Sequence, residues 1–219
     1  MYYFLLKDYN NVMLELSHER IHKPVKHEHA LGQLNPHLIF NSLTAIQHFV
    51  MLDDKAQALH YLSQLSKFIR LILQYSKNHF NSVESEKNLI DHYLELEQVR
   101  FGFKFTYKLS CNVTERLMPS MIVFPFVEEA LYERVLPSEG SIEKRNLRIT
   151  FESRKFTTVI TIMDNGTTNR LNEHKEAINI ALNYIEELNQ HHDEQITLER
   201  KYEPENNIIC IAIPHSIYK

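Results

Sequence analysis

The hydrophobic pattern of the chain is helical up to Gly102 and turns to mixed strands and helices after it, and that change sets what each half can fold into. Before it, apolar residues recur at helical spacing. Leu31, Leu34, Leu38 and Phe49 mark one stripe between about residues 27 and 52. Leu62, Leu65, Ile69 and Ile72 mark a second, with Tyr61, Phe68 and Tyr75 beside it. Asp53-Asp54 between them reads as a turn and an N-cap. Both stripes are wide for lone surface helices, and a hairpin of the two would still expose apolar area. Dimerisation into a four-helix bundle would cover it. A lead-in helix is expected from Tyr2 to about Ile21, broken by Pro24, and Asn81-Ser82 opens another from Val83 to Phe101 with Glu84 and Glu86 at its positive end.

Beyond Gly102 the alternation of strands takes over. Lys104 to Cys111, Leu147 to Phe151, Val159 to Met163, Ile196 to Tyr202 and Ile208 to Ile213 read as strands, while Met121 to Arg134 and Ala177 to His191 read as helices. The fold class expected is therefore α+β: an N-terminal helical hairpin, then an α/β sandwich with helices over a mostly antiparallel sheet. The boundary falls between residues 76 and 83, giving a helical domain over 1–80 and a sandwich over 81–219.

Charge and composition remove several classes of function. A net charge of -4 gives no basic face for nucleic acid. No apolar run approaches the ~20 residues that span a bilayer, and the start of the chain lacks the basic end and length of a signal peptide. A cytoplasmic location is expected, compatible with a membrane-anchored parent protein. Cys111 and Cys210 stand far apart in apolar runs and read as reduced thiols. The histidines at 18, 22, 27, 29, 191 and 192 lack Cys or carboxylate partners in metal-ligand spacing, so no metal site is expected. Tyr93, Glu97 and Arg100 recur at helical spacing and read as packing and ion pairs.

Three segments carry a resemblance. Leu31-Gly-Gln-Leu-Asn-Pro-His-Leu-Ile-Phe-Asn-Ser-Leu43 resembles the QxNPHFLFNSL helix of LytS/YehU-type sensor histidine kinases. The run from Val83 to Phe101 is similar to their LxxExxxxxxYLxLExxRF segment, and Met118 to Leu131 to their xPxxxLxPxVENAxKH helix. Asp164-Asn-Gly166 follows at the expected distance at a strand end. The resemblance spans roughly residues 27 to 213 and implies dimerising helices followed by an ATPase-like sandwich of the Bergerat (GHKL) type. It implies that His37 is the phosphoacceptor, loaded from ATP and discharged to an aspartate on a response regulator. An imidazole nitrogen is a competent nucleophile near neutral pH, and Pro36 is expected to kink the helix beside it.

The same resemblance places a nucleotide at Glu128, Asp164 and Gly166, and there the sequence departs from the family. Glu129 stands where Asn helps hold Mg²⁺, and Tyr132 and Glu133 stand where Lys and His are usual. The chain has four glycines and none after Gly166, so the phosphate-wrapping turn has no glycine to build its backbone nest. No cofactor is expected; ATP and Mg would return only with a rebuilt lid. The reading is two-component signalling by a histidine-kinase-like protein with impaired ATP binding. It would act as a phosphotransfer station or pseudokinase, dimeric, with a response regulator or sensor kinase as partner. An autokinase with a rebuilt lid and a non-catalytic scaffold are the alternatives.

Overall fold

The computed structural model describes residues 36–217 apart from 114, 139–141, 143–144, 168–174 and 204–205, with side chains from Leu38 onward except that of Lys175. The expected lead-in helix, the kink ahead of Pro36 and the His37 ring lie outside the described residues.

Two helices, α1 (Pro36–Met51) and α2 (Lys55–Tyr75), form the expected hairpin. Asp53 takes the left-handed conformation at φ 56°, and Asp54 caps α2 by accepting the Gln57 N–H at 3.0 Å. The buried stripe of α2 differs from the expected one. It runs through Ala58, Tyr61, Leu65, Phe68 and Ile72, while Leu62 is 45% exposed. The aromatics turn inward because α2 packs on the helix after it as well as on α1. That second contact buries more ring surface than the aliphatic stripe would.

A short strand not anticipated from periodicity, β1 (Phe80–Ser82), then pairs antiparallel with β3 (Leu117–Pro119). Asn81 anchors it, donating to the Tyr75 carbonyl and the Ser120 hydroxyl, both at 2.8 Å. Ser82 caps α3 (Val83–Arg100), and Gly102 at φ 60° turns the chain out of it.

The main sheet has the order β2 (Thr106–Cys111), β4 (Asn146–Ser153), β5 (Thr157–Asp164), β7 (Asn207–Pro214), β6 (Thr197–Tyr202). Only the β2–β4 pair is parallel. Its inner face, with Leu147, Ile149, Phe151, Ile160, Ile162, Ile209 and Ile211, is buried in one apolar cluster with α3, α4 (Phe124–Ala130) and α5 (Lys175–Gln190). This is the α+β sandwich expected. The cluster continues into the hairpin, where Phe68 of α2 meets Tyr93 of α3 and Phe124 of α4 at ring distances of 5.8 and 6.1 Å.

The helix expected from Met121 begins three residues later, at Phe124, because Met121 is left-handed at φ 57°. Glu86 holds that turn: its buried carboxylate accepts the N–H groups of Met121 (2.9 Å) and Val123 (3.1 Å). Burial raises the Glu86 carboxyl from 4.5 to about 7, against these backbone bonds, which favour the charged form. Between those values the folded state keeps a proton that the unfolded chain has released. Stability should therefore fall as pH rises from about 4.5 to 7, by on the order of 3 kcal/mol from this group. In Glu86→Gln, urea unfolding across that window should lose most of this slope; an unchanged slope would assign it elsewhere.

Candidate functional site

The carboxyl end of α4 opens into a π-helical turn, Leu131–Val135, in which the Leu136 N–H reaches back to the Leu131 carbonyl at 2.9 Å. Glu128 and Glu129 end α4, Glu133 and Arg134 lie on the π turn, and Asp164 ends β5. In the sheet Asp164 pairs with Asn207, the first residue of β7.

These elements converge on a buried ionic chain. Arg200, on β6, holds Glu129 with two nitrogens, at 2.6 Å to Oε1 and 2.9 Å to Oε2. Arg134 donates to the same Oε1 from Nη1 at 3.3 Å, and from Nε to Asp164 Oδ2 at 2.7 Å. The other oxygen, Oδ1, accepts the Asn207 carboxamide at 2.8 Å and the Gly166 N–H at 3.1 Å. The side chains of Arg134 and Asp164 are 3% and 1% exposed. Two guanidinium and two carboxylate groups thus balance in a medium where an unmatched charge would be costly. Burial opposes the Arg200 charge, but the Glu129 carboxylate and the Tyr202 hydroxyl outweigh it and raise its pKa.

Gly166 is required by close approach: a Cβ there would strike the Arg134 carbonyl and come within 2.8 Å of the Val135 nitrogen. Ser138 completes the join, donating to the Arg134 carbonyl at 2.6 Å and accepting the Thr167 N–H at 2.7 Å. An open cleft of about 580 Å³ reaches this end of the sheet, lined by Thr106, Asn146, Arg148, Met163, Asp164 and Asn165 among others.

The structure brings Asp164, Gly166 and Glu129 together. Glu128 is buried as well, but its charge bears on Tyr93 of α3. His37 lies in the first turn of α1, with its ring outside the described side chains. Arg100 pairs with Glu97, bonds to the Tyr132 hydroxyl and stacks 4.2 Å over Phe101, as the packing reading of that spacing expects. Among the described residues no three His, Cys, Asp or Glu side chains group to hold a metal, and no helix is long and apolar enough to cross a membrane. Of the site residues, Arg200, Asn207 and Arg134 are absent from the sequence reading, and the one between the two carboxylates is Arg134. Its signal was a basic residue five positions after Glu129, a spacing that faces Glu129 only across a π turn.

Residues 26–105 match the family model for histidine kinase. The chain is 31% identical over 159 residues to the sensor protein LytS of Streptococcus mutans serotype c, covering 73% of this chain and 25% of that protein. With the sensor protein LytS of Staphylococcus saprophyticus the identity is 32% over 137 residues, covering 62% of this chain and 22% of the other. The chain thus spans about a quarter of the length of these curated relatives. Its fold is similar to that of a solved bacterial phosphotransferase at a TM-score of 0.51 and 15% identity, over 80% of this chain and 90% of that one. Motifs, fold and relatives agree, and the chain belongs to the LytS-type sensor histidine kinase family.

Proposed function

We propose that this chain is a two-component signalling module that does not readily phosphorylate itself from ATP, with His37 taking a phosphoryl group from a partner protein. In this reading residues 1–80 are the dimerisation and phosphoacceptor domain, and residues 81–219 are an ATPase-like domain kept as a docking platform. One observation carries it: the Asp164 carboxylate, where the family reads a nucleotide base, is 1% exposed and closed by Arg134. Glu129, at the Mg²⁺-holding position, is likewise committed to Arg200. As arranged, these side chains do not fit a bound Mg-nucleotide, and no step is routed through one.

In the transfer itself, a neutral His37 nitrogen would attack the phosphorus of an aspartyl phosphate on a response regulator. The P–O bond to the carboxylate breaks and the aspartate leaves as its anion. A homodimer through the hairpin fits this reading, because Phe40, Leu43, Leu59 and Leu62 remain exposed on α1 and α2 in the single chain. Light scattering at micromolar concentration should report two copies.

The deciding assay offers the protein labelled ATP and, separately, a phosphorylated regulator. Acid-labile phosphate should appear only from the regulator and vanish in His37→Gln. Millimolar Mg-ATP should leave the melting temperature unchanged, although a ligand at 100 times its dissociation constant would add about 2.7 kcal/mol. Labelling from ATP would make the chain an autokinase, and no labelling from either source would leave a scaffold.

A further inference from the structure

Arg134 is an ill-matched tenant of the place it fills. Of its five N–H donors, Nε makes one short bond to Asp164, Nη1 reaches Glu129 only at 3.3 Å, and Nη2 has no hydrogen-bond partner among the described residues. Glu129 does not need it, since Arg200 already satisfies both of its oxygens. The groups that aim the Asp164 carboxylate do not depend on it either. Asn207 is fixed in the β5–β7 ladder and also holds the Gly166 carbonyl at 2.9 Å, while the Gly166 N–H bonds Oδ1. Without Arg134, Asp164 Oδ2 would stand as an oriented, charged acceptor beside the backbone of a glycine.

We propose that Arg134 is an internal ligand that decides what the Asp164 site admits, its flat guanidinium standing where a planar heterocycle with an N–H donor edge would otherwise lie. A guanidinium and an aminopurine edge share the features a carboxylate reads: coplanar N–H donors on a flat, delocalised frame. The large side chain excludes the heterocycle by volume, and its charge silences the acceptor. The site is thereby closed by one residue and not by loss of the base-reading geometry.

This inference rests on the reading that the native site takes no nucleotide, and it deepens that reading. Its test is Arg134→Ala, probed by thermal shift and calorimetry with adenosine and with purine riboside, which lacks the exocyclic amino group. Arg134→Ala should bind adenosine where the native chain shows no shift. It should favour adenosine over purine riboside by about 10-fold or more, the value of one hydrogen bond to a charged group. Asp164→Asn in the same background should abolish the preference. A folded Arg134→Ala that takes adenosine no better than the native chain, or takes both ribosides equally, overturns the proposal. If the variant does not fold alone, circular dichroism with millimolar adenosine gives the answer: ligand-dependent folding supports the proposal, and an unfolded chain in both conditions overturns it. Adenosine binding by the native chain would sink the closed-site reading as well. Failure confined to Arg134→Ala sinks this proposal alone, because phosphate uptake by His37 is read without any nucleoside.

Discussion

Asp164→Ala is expected to cost the fold about 3–5 kcal/mol, the usual penalty for removing one partner of a buried ion pair. The size follows from what is left behind. Arg134, 3% exposed, would keep its charge with only the long contact to Glu129. Asn207 and the Gly166 N–H would each lose an acceptor in the core. An acidic residue serving an open ligand site behaves differently, since such groups are held for function and their removal is usually neutral or stabilising. Urea unfolding separates the two cases. A loss below about 1 kcal/mol would mean that Asp164 is solvated and that the ionic chain is a minor state. Arg134→Met added to Asp164→Ala should restore part of the loss, with a coupling of about 0.5–3 kcal/mol for groups in direct contact.

Much of this arrangement was legible in the residues. The change of period at Gly102 located the hairpin and the sandwich, and strands such as Val159 to Met163 recur within two residues of their expected ends, here as Thr157–Asp164. Asp164 and Gly166 were visible through the resemblance, as an Asp-Asn-Gly run at the expected distance and at a strand end. Glu129 was visible as a departure from its family's pattern. What periodicity could not supply is whatever depends on a distant partner. The three residues of β1 are a strand only because Leu117–Pro119 lies beside them. Met121 leaves the helix because Glu86, thirty-five positions earlier, captures its N–H. Arg134 reaches Glu129 only because the helix widens by one residue per turn after Ala130. A regular α-helix, as the sequence suggested, would have aimed it elsewhere.

In the proposed reading, in which the site takes no nucleotide, the ionic chain also accounts for how the sandwich keeps its shape there. Without the arginines, Asp164 and Glu129 would be two unmatched carboxylates near one another, and like charges in a poorly solvated place repel. Two arginines from separate elements, the π turn and β6, turn that repulsion into three ion pairs. Since Arg200 lies on the edge strand and Arg134 on the helix layer, the pairs tie the two layers of the sandwich at the same point.

Phe68→Ala is expected to cost about 3–5 kcal/mol, as for other buried aromatic truncations, and to loosen the hairpin from the sandwich. Phe68 is fully buried although it belongs to α2, and its ring lies 5.8 Å from Tyr93 and 6.1 Å from Phe124, which themselves meet edge to face at 4.8 Å. Tyr61, Leu65 and Ile72 extend the same seam along α2. Truncating the central ring leaves a cavity bounded by two rings on separate helices, which cannot both collapse into it without distorting α3 or α4. The native chain should therefore unfold in one transition, because hairpin and sandwich share one core. In Phe68→Ala the amide protons of α1 and α2 should exchange faster than those of β4, β5 and β7, the hairpin opening below the global unfolding free energy. A loss under 1 kcal/mol, or uniform exchange across both halves, would mean that the aromatic seam is not what joins them. In the proposed function the outcome matters for signalling, because a hairpin fixed in this way would present α1 to a partner protein in one orientation relative to the sandwich.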